Sequence, residues 1–147
     1  MYRIWYTPFV GRWAQSHGER SKYITLPVKH GKRVTVIFFK TGAGGEPVRE
    51  WLKRLPLSED RKRIGEDIKT VEFGWPIGMP TCRALRDGIF EVRTNLAQNR
   101  IARVLFYIDR QNRMVLLHGF IKKTQKTSSD DIELAWSNKK KHQKGVR

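Results

Sequence analysis

Ile101-Ala102-Arg103-Val104-Leu105-Phe106-Tyr107-Ile108, then Asp109-Arg110-Gln111-Asn112, then the run from Met114 to Lys122 (MVLLHGFIK), decide the fold. The flanks are rich in β-branched and aromatic residues, and the four residues between them are turn formers. Two long strands joined by so short a connection must lie antiparallel. Two shorter strands precede them, from Cys82 to Leu85 and from Ile89 to Thr94, with Asp87-Gly88 as the turn between. A meander of four strands is therefore predicted over the second half of the chain.

Upstream, Val34 to Phe39 reads as a buried strand, and Thr41-Gly42-Ala43-Gly44-Gly45 turns the chain. No Gly-Lys-Ser/Thr follows those glycines, so they are a turn and not a phosphate loop. Pro47 suits a first helical turn, and Val48, Trp51, Leu52 and Leu55 recur at helical spacing. Pro56 ends that helix. Ser58 is placed to cap a second one, whose apolar stripe is Ile64, Ile68 and Val71 and whose end is Gly74-Trp75-Pro76. After the meander, Ser128-Ser129-Asp130-Asp131 opens a last helix through Ile132, Leu134, Ala135 and Trp136, followed by a basic tail expected to fray. The predicted class is α+β: a curved, mainly antiparallel sheet with two N-terminal helices on one face and a C-terminal helix.

The 147 residues suffice for one domain, and 30 Lys+Arg against 14 Asp+Glu give a formal charge of +16. That excess suits nucleic acid first, then an acidic protein or an anionic membrane surface. Cys82 is the single cysteine, which excludes an intrachain disulfide and a four-cysteine zinc site. His17, His30, His118 and His142 lack ligand spacing, so neither a metal nor a cofactor is expected. The opening residues do not read as a signal peptide, and no run approaches the roughly 20 apolar residues of a membrane span. A cytoplasmic location follows as the expectation. Residues 1–33 interleave Trp5, Tyr6, Phe9, Trp13 and Tyr23 with basic residues. Such an extension can stack on single-stranded nucleic acid or simply dock on the main domain.

Side chains alternate across a strand, which sorts the sheet into two faces. Ala102, Val104, Phe106 and Ile108 form one apolar set, as do Phe90 with Val92, and Val115, Leu117, Gly119 and Ile121. These sets should lie under the helices. Glu91, Arg93, Arg103, Tyr107, His118 and Lys122 would then share the opposite, open, concave face. Cations, a histidine and a tyrosine without metal ligands suit RNA cleavage by the substrate's own 2′-hydroxyl. That reaction needs a base, an acid for the departing 5′ oxygen, and cations for the growing phosphate charge. Arg93 and Arg103 fit the cationic clamp, and His118 has the one side chain there that titrates near neutrality. Tyr107, or a lysine depressed by cationic neighbours, can also move protons. Each has a blander reading as well: a packed histidine, a tyrosine covering the core, an arginine paired with Glu91, lysines serving only as a phosphate platform.

The series Phe39 to Leu55 (FFKTGAGGEPVREWLKRL), Leu85 to Arg93 (LRDGIFEVR), Arg103 to Tyr107 (RVLFY) and Leu116 to Thr127 (LLHGFIKKTQKT) resembles the RelE/ParE superfamily of bacterial toxin–antitoxin modules. It is most similar to the HigB-like, phage-derived Gp49-like branch, over about Val34 to Lys141. The resemblance implies a RelE-like toxin domain at residues 34–141, with 1–33 an extension and 142–147 a basic tail. It implies a metal-independent endoribonuclease that cuts mRNA, usually on the ribosome, inhibits translation, and is silenced by an antitoxin, often a helix-turn-helix protein. Cleavage residues carry over to Arg93, Arg103, Lys122 and Lys126, with Tyr107 and His118 as neighbours. Lys123, Arg86, Lys139 and Lys140 are expected to hold the RNA backbone. Glu91 stands where some ribosome-dependent relatives place a lysine, and either pairs with Arg93 or serves as a base. The rival readings are a ParE-like gyrase inhibitor that cleaves nothing and an RNA-binding module without turnover. On the nuclease reading, Arg103→Ala abolishes activity and leaves the fold intact.

Overall fold

The computed structural model describes residues 31–145; the aromatic-basic segment up to His30 lies outside the described residues, as do Val146 and Arg147. The described residues form five strands and three helices. The strands are β1 (Thr35–Phe38), β2 (Cys82–Ala84), β3 (Phe90–Asn95), β4 (Ile101–Ile108) and β5 (Arg113–Lys122). The helices are α1 (Pro47–Arg54), α2 (Ser58–Gly74) and α3 (Ser129–Gly145). The sheet order is β1-β5-β4-β3-β2. The predicted meander β2 to β5 is antiparallel throughout, so the class is α+β.

β1 departs from that pattern. It runs parallel to β5 at the sheet's edge, and its own residues are exposed or half-buried; the buried side chains are the flanking Val34 and Phe39. Glu72 of α2, fully buried, secures this edge. Its carbonyl accepts from the N–H groups of Arg33 and Val34 at 2.9 and 3.2 Å, and its carboxylate accepts from Val36 at 3.0 Å. Lys32 supplies the countercharge at 3.3 Å.

Helices cover both faces. Val48 of α1 and Ile64, Ile68 and Val71 of α2 pack on Val92, Ala102, Val104, Phe106, Met114 and Leu116. Gly119 brings α1 close, because a Cβ there would lie 2.5 Å from the Trp51 ring. On the other face, Ala135 and Ile132 of α3 meet Leu105, Tyr107, Val115, Leu117 and Phe120. The face expected to be open is thus roofed by α3, which corrects the prediction.

A β-bulge corrects a second one. Leu105 pairs with His118 but Phe106 pairs with Leu116, which leaves Leu117 as the extra residue. Beyond the bulge the sorting holds: Gly119 and Ile121 face the α1–α2 side, while His118, Phe120 and Lys122 share the α3 side with Arg103. Before it the faces are reversed, so Met114 and Leu116 lie under α1 and α2, and Val115 and Leu117 under α3. Two ends also differ. Leu57, not Ser58, is the residue before α2 and no side chain caps it. α3 runs to Gly145, so residues 142–145 are helical and not frayed.

Candidate functional site

The rim formed by β3, β4, β5 and the start of α3 collects most of the predicted cations. Arg93 and Arg103 face each other across the β3–β4 pair, and Lys122 lies one pair further along, opposite Ile101. Arg103, however, is 0% exposed. Its Nη2 donates to the carbonyls of Thr124 and Gln125 at 2.5 Å each, and its Nε stands 3.9 Å from Glu91. Burial, then the Arg93 charge, makes the Arg103 guanidinium easier to deprotonate, while Glu91 opposes this. As placed, it pins the loop after β5 and presents no surface to an RNA phosphate.

Arg93 is bound to the same loop. Its guanidinium donates to Glu91 at 2.9 Å, to the Gln125 carbonyl at 3.2 Å and to the Gln125 side chain at 3.1 Å. Glu91, 0% exposed, also accepts a very short hydrogen bond from the Thr127 hydroxyl. The acid at position 91 therefore joins the two arginines to the loop. Of the two alternatives for Glu91, pairing with Arg93 is what the structure contains.

Asp131 organises the exposed part. Ser128 caps α3: its Oγ accepts from the Asp131 N–H at 3.2 Å and donates to the Asp131 carboxylate at 2.6 Å. That cap aims the carboxylate back over β5, where it meets His118 Nε2 at 2.8 Å and Lys122 Nζ at 2.7 Å. Burial pushes the Asp131 carboxyl up, but hydrogen bonds from Lys122, Ser128 and His118 outweigh it and bring it down to about 2. Asp131 is thus ionised at neutral pH. A carboxylate on one imidazole nitrogen fixes the tautomer and leaves the other nitrogen to take or give a proton. Phe120 backs both groups, its ring 5.2 Å from the His118 ring and 5.0 Å from Lys122 Nζ. The side chains of His118 and Lys122 keep 19% and 40% of their surface, so solutes can reach them.

Tyr107 is not part of this group. It lies toward the other end of β4, 4% exposed, with its hydroxyl 2.5 Å from His142 Nδ1 and Lys139 Nζ 5.2 Å from its ring centre. Burial, with Asp109 nearby, pushes the phenol up to about 12. It anchors α3. The predicted RNA-binding cations are divided too. Lys123 and Lys126 are exposed on the loop beside the rim. Arg86 pairs with Glu133 at 2.6 Å, and Lys139 donates to the Asp87 carbonyl at 2.6 Å, which ties α3 to the β2–β3 turn. Lys140 is exposed over Trp136.

Asp131, Gln125 and Thr127 were missed as site residues. Ser128-x-x-Asp131 is visible as a helix start, but nothing in that spacing says that the helix crosses β5 beside His118. Among the described residues, no group of three or more His, Cys, Asp or Glu could hold a metal ion, and no helix is long and apolar enough to cross a membrane.

No curated protein matches the chain at a significant level. Residues 50–140 match the family model described as phage derived protein Gp49-like, a stretch that runs from α1 into α3 and contains the whole rim. That family falls in the RelE-related, toxin-like group and is associated with the toxins of toxin–antitoxin systems, which implies an antitoxin partner. With the match covering well over half of its length, the chain belongs to the Gp49-like family of phage-derived proteins.

Proposed function

We propose that the chain is a HigB-like toxin of a type II toxin–antitoxin system, an endoribonuclease that cuts mRNA on the ribosome without a metal. The observation that carries this reading is the convergence of His118, Lys122 and Asp131 beside Arg93 on one reachable rim. In this reading residues 34–141 are the RelE-like toxin domain, residues 1–33 an extension and 142–147 a basic tail. The protein acts in the cytoplasm and its antitoxin is a helix-turn-helix protein.

The RNA supplies the nucleophile. Its 2′-oxygen attacks the adjacent phosphorus, the bond to the 5′ oxygen breaks, and a 2′,3′-cyclic phosphate forms. His118, held by Asp131, exchanges protons with the reacting oxygens, and Lys122 and Arg93 stabilise the charge on the phosphate. Gln125 presents Arg93 with a carbonyl and an amide oxygen, the kind of acceptors a phosphate also offers. RNA entering the rim takes their place, and Arg103 stays beneath as the support of the loop.

Two cleavage assays test this. Naked RNA in EDTA tests independence from metal, and programmed ribosomes in magnesium buffer, read by primer extension, test ribosome dependence. Cuts are expected in at least one. His118→Ala and Lys122→Ala should each lower the rate about 100-fold or more, the scale of general acid–base catalysis, with the circular dichroism unchanged. Intact message in both, together with altered plasmid supercoiling, would replace the nuclease by gyrase inhibition.

A further inference from the structure

A polar groove of about 370 Å³ lies between α2 and the end of β3, and it shares Arg93 with the rim. Its walls include Glu66 and Asp67 of α2, Thr81 before β2, and Thr94 and Asn95 of β3. The volume falls within the range of small-ligand sites, which begins at about 300 Å³. β2 pairs with β3 only as far as Cys82 and Val92, after which the Arg93 N–H reaches the Thr81 carbonyl at 2.8 Å. The next residue to point its backbone that way is Asn95, so peptide groups as well as side chains are offered at the groove.

The charge of the groove runs against that of the molecule. In a chain of +16, Glu66 and Asp67 place carboxylates one step from the proposed phosphate site. Carboxylates repel phosphate and only accept hydrogen bonds when ionised, so what they select is a ligand that offers N–H groups. The buried Thr94 hydroxyl donates to Asp67, which fixes the direction of that carboxylate. Among RNA bases, guanine alone offers two adjacent donors, the imino and amino groups of its Watson–Crick edge, to match two carboxylate oxygens. Uracil has one imino donor between two acceptors, and adenine and cytosine set one amino group beside a ring acceptor.

We propose that this groove is a nucleobase subsite that selects guanine next to the cut, with Asp67 as the specificity-determining residue. The inference rests on the nuclease reading and extends it to substrate choice. Arg93 joins the two regions: a base seated against Asp67 places its own phosphate toward the Arg93 side, where His118 and Lys122 can act.

The test has two arms on the full-length chain. In the first, guanosine, adenosine, cytidine and uridine 3′-monophosphates are titrated separately and followed by backbone amide NMR. Guanosine 3′-monophosphate should shift Thr81, Thr94 and Asn95 at concentrations at least tenfold lower than the others. In Asp67→Asn, whose amide offers one donor and one acceptor, the order should turn toward adenosine, an exchange that mere loss of structure cannot give. In the second arm the cut sites on a mixed-sequence RNA are sequenced, and guanine should flank the cut in the wild type. Equal shifts from all four nucleotides, or cuts without base preference, would overturn the subsite and leave the nuclease standing. Guanine-selective shifts with uncut RNA would uphold the subsite and remove the nuclease.

Discussion

At Arg103 a guanidinium is sealed under a loop with Nε and Nη1 finding no hydrogen-bond partner among the described residues. A buried donor left unmatched costs about 1–3 kcal/mol, so this position holds its place through the bonds of Nη2 and the nearby Glu91. The expectation that Arg103→Ala spares the fold is therefore replaced. Removing one partner from a buried ionic group costs about 3–5 kcal/mol, because Glu91 and two loop carbonyls lose their donor. A protein of this size should then melt on the order of 10 °C lower, which differential scanning calorimetry reads directly. Arg103→Lys keeps the charge but has no fork to reach both carbonyls, and it should melt between the alanine variant and the wild type. Equal melting temperatures for Ala and wild type would return Arg103 to the role of an exposed clamp. Position 91 belongs to the same argument. As a lone acid among cations it looks like a defect in an RNA site; with Arg93, Arg103 and Thr127 around it, it is the knot of the loop.

Among the elements, α3 carries the feature least legible beforehand. Strands β2 to β5 and helices α1 and α2 follow from alternation and helical spacing, because their apolar residues are numerous and regular. α3 inserts little beyond Ile132 and Ala135 into the apolar core. Its remaining ties are polar: Asp131 to His118 and Lys122, Asn138 to the Leu117 carbonyl at 2.9 Å, Glu133 to Arg86, and His142 to Tyr107. Polar ties leave no periodic trace, so the helix is predicted and its berth is not. The bulge in β5 is equally silent, since Leu116-Leu117 reads the same in either register. The polar berth has a pH signature. Burial pushes His142 down, with Arg113 adding to the effect and Asp109 opposing it. The neutral form is then the one the folded state prefers. Its contribution is complete above the usual histidine range and declines as pH falls through the depressed value. Hydrogen exchange along α3 should accelerate between pH 7 and pH 5, and His142→Gln should remove that step. The Asp131 contribution has the opposite origin and persists until pH approaches about 2. A step that survives His142→Gln would mean that some other group governs the helix.

For the whole molecule, the surplus of cations is distributed so that reach and chemistry are separate. The rim's own charges are largely matched inside: Arg93 by Glu91, Lys122 by Asp131. The exposed Lys123, Lys126 and Lys140 stand around it without such partners in the printed geometry of the site, facing solvent. Attraction for RNA is thus the work of the surrounding lysines, and selection and turnover that of the paired interior. Composition announced the first half of this division through the +16 charge; the second half was hidden, because Glu91 and Asp131 are indistinguishable in sequence from surface acids. The two halves respond differently to salt. Binding to single-stranded RNA loses about 0.7 in the slope of log affinity against log salt for each phosphate contact removed. Lys123→Gln with Lys126→Gln should therefore flatten that slope by about 1.4 in filter-binding measurements across a range of potassium chloride. His118→Ala should leave the slope where it is while cleavage falls, because a neutral imidazole releases no counterion when RNA binds. A double lysine variant with an unchanged slope would place the RNA on another surface, and the rim would then have to find its substrate without the field of its neighbours.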